Sequence, residues 1–445
     1  MVRKLFLLGV LLAAAIAISV EPLAAADHPS AGWPHWRGPS GAGFAPAADP
    51  PTEWSETKNV AWKTPLPGKG HSSPIVRADH IFVTAAIAYG PELDPVPVTA
   101  PGAHDNVDVT QRHRFVVLCA DRRTGQIKWQ QVVADELPHE GGHYTGSLAS
   151  ASPVTDGERV YAYFGSFGLY ALNFDGKLIW KHPVPQLQTK HAHGEGSSPV
   201  LHDGVLVINC DHEGQSFVRA INAADGETLW QRERDEVTSW ASPVIVRREQ
   251  QTQVVVAGTD RIRAYELKTG QTLWQCGGLS ANVVATPVVA GDILIAASSY
   301  EIRAMLAIDL NKAEGDITGT EAVLWQTNQR TPYVPSMLVV DEHVYFLRHY
   351  QNILSRRNIR TGVEPSGPFR LPGIRNVYAS PVAAANRIYL VDLDGHTLVM
   401  SADEDPQLLA LNRLDDRFAA TPALIDNQIL LRGEQFLYCL QRPDP

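Results

Sequence analysis

The stretch 151–182, ASPVTDGERVYAYFGSFGLYALNFDGKLIWKH, decides the fold. It opens on Ser152-Pro153-Val154 and ends with Asp175-Gly176 followed by Trp180. Between these marks lie short runs of Val, Tyr and Leu. They read as four strands, near 151–154, 160–165, 168–173 and 178–182. β-Branched and aromatic residues favour pleated backbone, and Asp-Gly supplies the positive φ that a tight hairpin turn needs.

The same unit recurs along the chain. Ser73-Pro74, Ser152-Pro153, Ser198-Pro199, Ser242-Pro243, Thr286-Pro287, Ser380-Pro381 and Thr421-Pro422 mark seven copies, and Ser336-Met337 a degenerate eighth. They stand 41 to 50 residues apart except for a first gap of 79, which implies an insertion in repeat 1. That insertion, about 87–113, carries Pro91, Pro95, Pro97 and Pro101 and reads as a surface excursion. The second half of four copies places a glycine four residues before a tryptophan, at Gly125/Trp129, Gly176/Trp180, Gly226/Trp230 and Gly270/Trp274, a diluted version ends at Trp325, and copies 6 and 7 keep the strand pattern but lose the tryptophan. These tryptophans are expected to cover the gap to the neighbouring repeat. A four-stranded antiparallel unit at this period is a propeller blade, so the expected fold is an all-β, eight-bladed propeller. The last copy has room for three strands. The segment 59–63, with Trp62, reads as its missing outer strand, so the two chain ends close the ring and remove a free sheet edge.

The chain has 445 residues, 44% hydrophobic and 19% charged, with a formal net charge of −10. That is too apolar for a disordered chain, and the absence of a long basic run argues against nucleic acid. Arg3 and Lys4, the apolar run Leu5 to Val20 and Ala24-Ala25-Ala26 read as a secretory signal peptide. The expected organisation is a signal peptide 1–26, a leader 27–57 and a propeller 58–445, exported to the periplasm or cell surface and not membrane-spanning after cleavage. A monomer is expected. Cys119, Cys210, Cys276 and Cys439 form no CxxC, and Cys119 and Cys439 share the small-residue slot of Ala171, Ala220 and Ala264, so they read as buried thiols.

At Ala-x-Asp-x-x-Thr-Gly-x-x-x-Trp the sequence resembles the PQQ-type propeller repeat of quinoprotein alcohol dehydrogenases and of the non-enzymatic BamB propellers, over about residues 58–441. The leader Trp33-Pro34-His35-Trp36-Arg37-Gly38-Pro39 and the segment 59–63 resemble exported PQQ-binding-like propellers of planctomycete type. For a quinoprotein the resemblance implies adjacent cysteines, a tryptophan floor and a calcium site. No two cysteines are adjacent here, and Trp325 is the last tryptophan, which argues against bound PQQ. For BamB the lipidation cysteine is missing.

No nucleotide-loop, zincin or nucleophile-elbow motif is present. Chemistry is therefore sought in the residues that lead into each innermost strand. They should rim one mouth of the central channel: His71, His143, His193, Glu195, Trp240, Asn282, Asn376, Tyr378 and Arg417. Three readings stay open: a divalent metal on His193 and Glu195, a pocket for a small or saccharide ligand, and a hydrogen-bonded lining of a wet channel. No catalytic residue is assigned. The expected function is a non-catalytic exported propeller that binds an envelope partner or small ligand. The alternative is a degenerate quinoprotein oxidoreductase or a metal-dependent enzyme acting at the channel mouth.

Overall fold

The computed structural model describes residues 32–248 and 251–442. Residues 1–26, expected from the sequence to be a signal peptide, lie outside the described residues. Eight sheets form eight blades, each with a core of four antiparallel strands. In blade 3, for example, Val200–His202, Val205–Cys210, Phe217–Asn222 and Thr228–Glu233 pair in sequence order from the channel outward. Blade 8 is composite. Val60–Pro65 pairs antiparallel with Phe436–Gln441 and places Trp62 opposite Cys439. No helix among the described residues is long and apolar enough to cross a membrane.

The repeated Ser/Thr-Pro has a structural purpose beyond starting a strand. The backbone N–H of Ser73 donates to the Ser152 hydroxyl at 2.8 Å, Ser152 to Ser198 at 3.0 Å and Ser198 to Ser242 at 2.8 Å. The series continues through Thr286, Ser336, Ser380 and Thr421, and the Thr421 N–H returns to Ser73 at 3.0 Å. Each blade is thus tied to the next in a closed hoop of eight bonds around the channel. The degenerate copy, which has Met337 in place of proline, keeps its hoop hydroxyl at Ser336.

At the outer edge, the glycine of one blade receives the tryptophan of the blade before it. The indole N–H of Trp62 donates to the Arg122 carbonyl, Trp129 to Phe174, Trp180 to Ala223, Trp230 to Leu267 and Trp325 to Ile359, at 2.7 to 3.1 Å. Each ring lies on Gly125, Gly176, Gly226, Gly270 or Gly362, all with positive φ, where a Cβ would come within 2.5 to 2.8 Å of the ring. Trp274 is the exception. Its indole bonds to Gln253 of its own blade, and Gly315–Asp316 adds a parallel strand beside it. Trp180, Trp230 and Trp274 are buried, whereas Trp62, Trp129 and Trp325 are half-buried, more open than the sequence reading expected.

The leader is woven into the ring from residue 32 on. Gly32–Trp33 adds a strand to blade 1, and the Gly43 carbonyl and Ala45 N–H pair with Ala383 of blade 7. Arg37 is buried, and its guanidinium donates to the carbonyls of Pro381, Ala42 and Met337. Burial without a carboxylate partner pushes its pKa down to about 9. All four cysteines are free and buried, and burial pushes the thiols of Cys119, Cys210 and Cys439 up to about 12.

Two measurements check this account. Trp230→Ala should lower unfolding stability by about 3–5 kcal/mol. Gly270→Ala should cost a comparable amount, because it meets the same ring at φ +68°. Gly204→Ala, with φ +73° and nothing within 4 Å, should cost only backbone strain of about 1 kcal/mol. In the hoop, Ser242→Ala orphans the Ser198 N–H and should cost about 1–3 kcal/mol. Ser242→Thr should be nearly neutral, since Thr286 and Thr421 already serve in the hoop. Equilibrium unfolding followed by circular dichroism reads both series.

Candidate functional site

The hoop hydroxyls line a cavity of about 500 Å³ at one mouth of the channel. The lead-in residues stand above the hoop, because each blade's innermost strand begins at the same place in the repeat. His71, His143, His193, Glu195, Trp240, Asn282 and Tyr378 all line this cavity. Two expected members do not. Asn376 is exposed and lines a neighbouring groove beside Tyr378 and Arg348. Arg417 is exposed and points to Glu434, with Nε 3.7 Å from Oε1, so that Ala419 is the blade-8 residue at the cavity. Asn376 and Arg417 stand four residues before their hoop residues, as Asn282 does, but their side chains are exposed.

Several lining groups escaped the sequence reading. Trp36 of the leader lines this cavity and a second one of about 540 Å³ beyond it, and so partitions the channel. Tyr300 and Tyr350 join Tyr333, which leads into the innermost strand of blade 6 as the repeat expects, in an aromatic side. Tyr333 stacks on His349 at 4.6 Å and on Tyr300 at 5.9 Å, and meets Tyr350 edge-on at 5.2 Å. Tyr300 and Tyr350 are 47% and 70% exposed, so these rings offer free faces. Trp240, in the lead-in of blade 4, is fixed by its indole N–H on the Gly194 carbonyl at 2.7 Å. The signal for Trp36 was present in the leader. Tyr300 and Tyr350 sit in hairpins, where strand periodicity says nothing.

The insertion of repeat 1 is not a plain surface loop. Its flanking strands, His80–Tyr89 and Arg112–Asp121, are ten residues each and carry it back over the mouth. The Asn106 amide donates to the carbonyls of His191 and Ala192, the Val107 N–H to Gly142, and the Tyr144 N–H to Asp105. There His104, His143, His191 and His193 pack ring against ring, with centroids 4.8 to 5.4 Å apart. Burial lowers the pKa of His143, and that of His193 to about 4, so these two imidazoles are neutral at pH 7.

Glu195 is buried. Its Oε1 accepts the Ser166 N–H at 2.9 Å and hydroxyl at 2.6 Å, and its Oε2 has no hydrogen-bond partner. Burial raises its pKa to about 7. His193 Nε2 lies 3.2 Å from the His104 carbonyl, so the two proposed metal ligands have separate partners. Among the described residues no group of three or more His, Cys, Asp or Glu is arranged to hold a metal ion. No Arg or Lys lines the cavity. A quinone bearing several carboxylates therefore meets no cation here, and the residues present do not fit PQQ.

The histidine cluster makes the insertion pH-sensitive. His143 and His193 titrate lower when folded than when free, so an opened loop binds protons more readily. Their contribution to loop closure is complete above about pH 6.5 and is lost as pH falls toward about 4. Hydrogen exchange of residues 90–111, corrected for intrinsic rates, should show protection near pH 7 that largely disappears near pH 4.5. His193→Gln should flatten the difference.

Comparison with known proteins follows this geometry. A family model described as outer membrane protein assembly factor BamB matches residues 113–364. The BamB of Yersinia pestis is 27% identical over 169 residues, which are 36% of this chain and 38% of that protein, so the chain spans well under half of its length. Among solved structures, BamB from Moraxella catarrhalis superposes with a TM-score of 0.55 at 14% identity, covering 82% of this chain and 98% of that one. Quinohemoprotein alcohol dehydrogenase from Comamonas testosteroni gives a TM-score of 0.61 at 11% identity, covering 95% and 82%. At such identities both superpositions show the propeller fold alone. The family model, by contrast, takes in more than half of the chain, and on that match the protein belongs to the outer membrane protein assembly factor BamB family of PQQ-like propellers.

Proposed function

We propose that this protein is a non-catalytic propeller of the cell envelope, a scaffold that receives its partner or ligand at the insertion-covered mouth of the channel. The observation that carries the reading is the composition of that mouth. Aromatic faces, amides, hydroxyls and neutral imidazoles converge on one preformed cavity, with no lysine or arginine among them. Such a surface binds, because apolar faces with a few placed polar groups hold a ligand in one orientation. The family's name, outer membrane protein assembly factor, supports a scaffold in the envelope, and the signal-peptide reading of residues 1–26 supports export.

The test joins location, contact and activity. Fractionation of the native host should place the tagged full chain in the envelope, with residues 1–26 removed. A photo-crosslinking residue at Tyr350 or Asn376 on the mouth should yield a discrete adduct, and one at Asp203, on a hairpin beside the opposite cavity, should not. Dye-linked oxidation of alcohols with added PQQ and Ca²⁺ should stay at background. Quinone-dependent dye reduction that is lost in Trp240→Ala would establish the oxidoreductase instead.

A further inference from the structure

Three buried side-chain atoms on the cavity wall have no hydrogen-bond partner: His71 Nε2, Asn282 Oδ1 and Glu195 Oε2. Asn282 is 6% exposed and is held at φ +60°, a backbone state uncommon outside glycine. A buried polar group without a partner is costly, and three residues of this one wall each carry one. Deeper in, each hoop hydroxyl uses a lone pair on its neighbour's N–H and keeps its own proton to donate. The lumen therefore presents a circle of O–H groups below an aromatic rim.

The remaining features restrict what that occupant can be. With no lysine or arginine on the lining, a phosphate or carboxylate would be buried without a counter-charge. A cation fares little better. Asp105 is exposed on the insertion, and burial keeps Glu195 largely ready to hold a proton. Trp240 leads into blade 4, and the Tyr300, Tyr333 and Tyr350 cluster follows on blades 5 and 6, so the aromatic rim runs along neighbouring blades. A molecule with flat C–H faces to lie on such rings, and hydroxyls around the edge that both donate and accept, is a pyranose. A cavity of about 500 Å³ lies within the usual range for small-ligand pockets, about 300–1,000 Å³.

We infer that the channel mouth is a binding site for an uncharged saccharide, stacked on the aromatic rim of Trp240 and Tyr350 and hydrogen-bonded by the hoop hydroxyls. The inference rests on the reading of the mouth as the receiving site and names its ligand class. An envelope glycan end or a free oligosaccharide offers the same chemistry.

Calorimetric titration of the purified full chain with maltotriose, cellotriose and triacetylchitotriose tests it, with citrate and spermidine as charged probes. At least one trisaccharide should bind and quench tryptophan fluorescence, and neither charged probe should. Trp240→Ala and Tyr350→Ala should each weaken binding tenfold or more. Tyr350 is largely exposed, so its variant folds even if Trp240→Ala does not. Asn282→Asp, which keeps the shape but adds a charge, should weaken binding and make it depend on pH. Binding to a polymer-immobilised envelope glycan fraction, competed by the free trisaccharide, would identify the glycan end as the source; binding of the free sugar alone would identify the oligosaccharide. Failure of all three sugars to bind, or binding insensitive to both aromatic variants, overturns the inference. If mouth crosslinks persist in that case the scaffold reading stands, and if they are absent both readings fall.

Discussion

A closed circle of hydrogen bonds from the N–H of one Ser or Thr to the hydroxyl of the next is the constraint on which the ring depends. Eight sheets arranged about an axis converge where the inner strands are shortest, three residues in most blades and two in blade 2. There the strands have little ladder of their own to set their spacing. A backbone N–H at the head of each strand would also be buried without a partner. The hydroxyl of the adjacent blade satisfies that donor and fixes the distance between blades in one contact. The proline that follows helps, because it has no N–H to satisfy and its fixed φ sets the direction in which the strand leaves the hoop.

At the outer radius the blades have diverged, and a hydroxyl cannot bridge the gap. An indole can. Its N–H takes a carbonyl of the next blade, while its face covers a glycine that must lack a Cβ. The two devices explain why both halves of the repeat are so plain in the sequence: each is a contact repeated at a fixed radius. Where one fails locally, something else replaces it. Blade 5 lacks the receiving glycine for Trp274; there Gly315–Asp316 pairs with the Trp274 strand, and the ring joins a buried cluster with Leu310, Ile317 and Ala322. Blade 8 meets blade 1 through Trp62 and through buried Arg432, whose guanidinium reaches the Ser72 carbonyl and hydroxyl.

This division sets what was legible in the sequence. Blade number, the paired chain ends and the mouth position of seven lead-in residues followed from period and spacing, because radius is fixed by the place in the repeat. Asn376 and Arg417 share the repeat place of Asn282, yet their side chains are exposed, because side-chain direction there follows local partners, such as Glu434 for Arg417, that no periodic rule reports. Trp36 and His104 reach the mouth by tertiary folding of the leader and the insertion, which no repeat describes. Tyr300 and Tyr350 come from hairpin tips for the same reason. Carried from the resemblance, a quinone site would have predicted cations or a calcium cage, and this lining contains neither lysine nor arginine.

The hoop also explains why the mouth is uncharged. Each hydroxyl that holds a neighbouring blade has one proton left and no acceptor within the hoop, so the architecture itself delivers a circle of donors into the lumen. A cation placed against that circle would have hydroxyl oxygens but no carboxylate of the hoop to balance it, and an anion would have to leave water for a narrow site without a counter-ion. Charged side chains near the mouth are accordingly turned outward, as Arg417 is toward Glu434, or held close to neutrality by burial, as Glu195 is. The surface that results from closing the ring is one that polar, uncharged molecules can enter, and the aromatic residues of the variable loops then decide which of them remain.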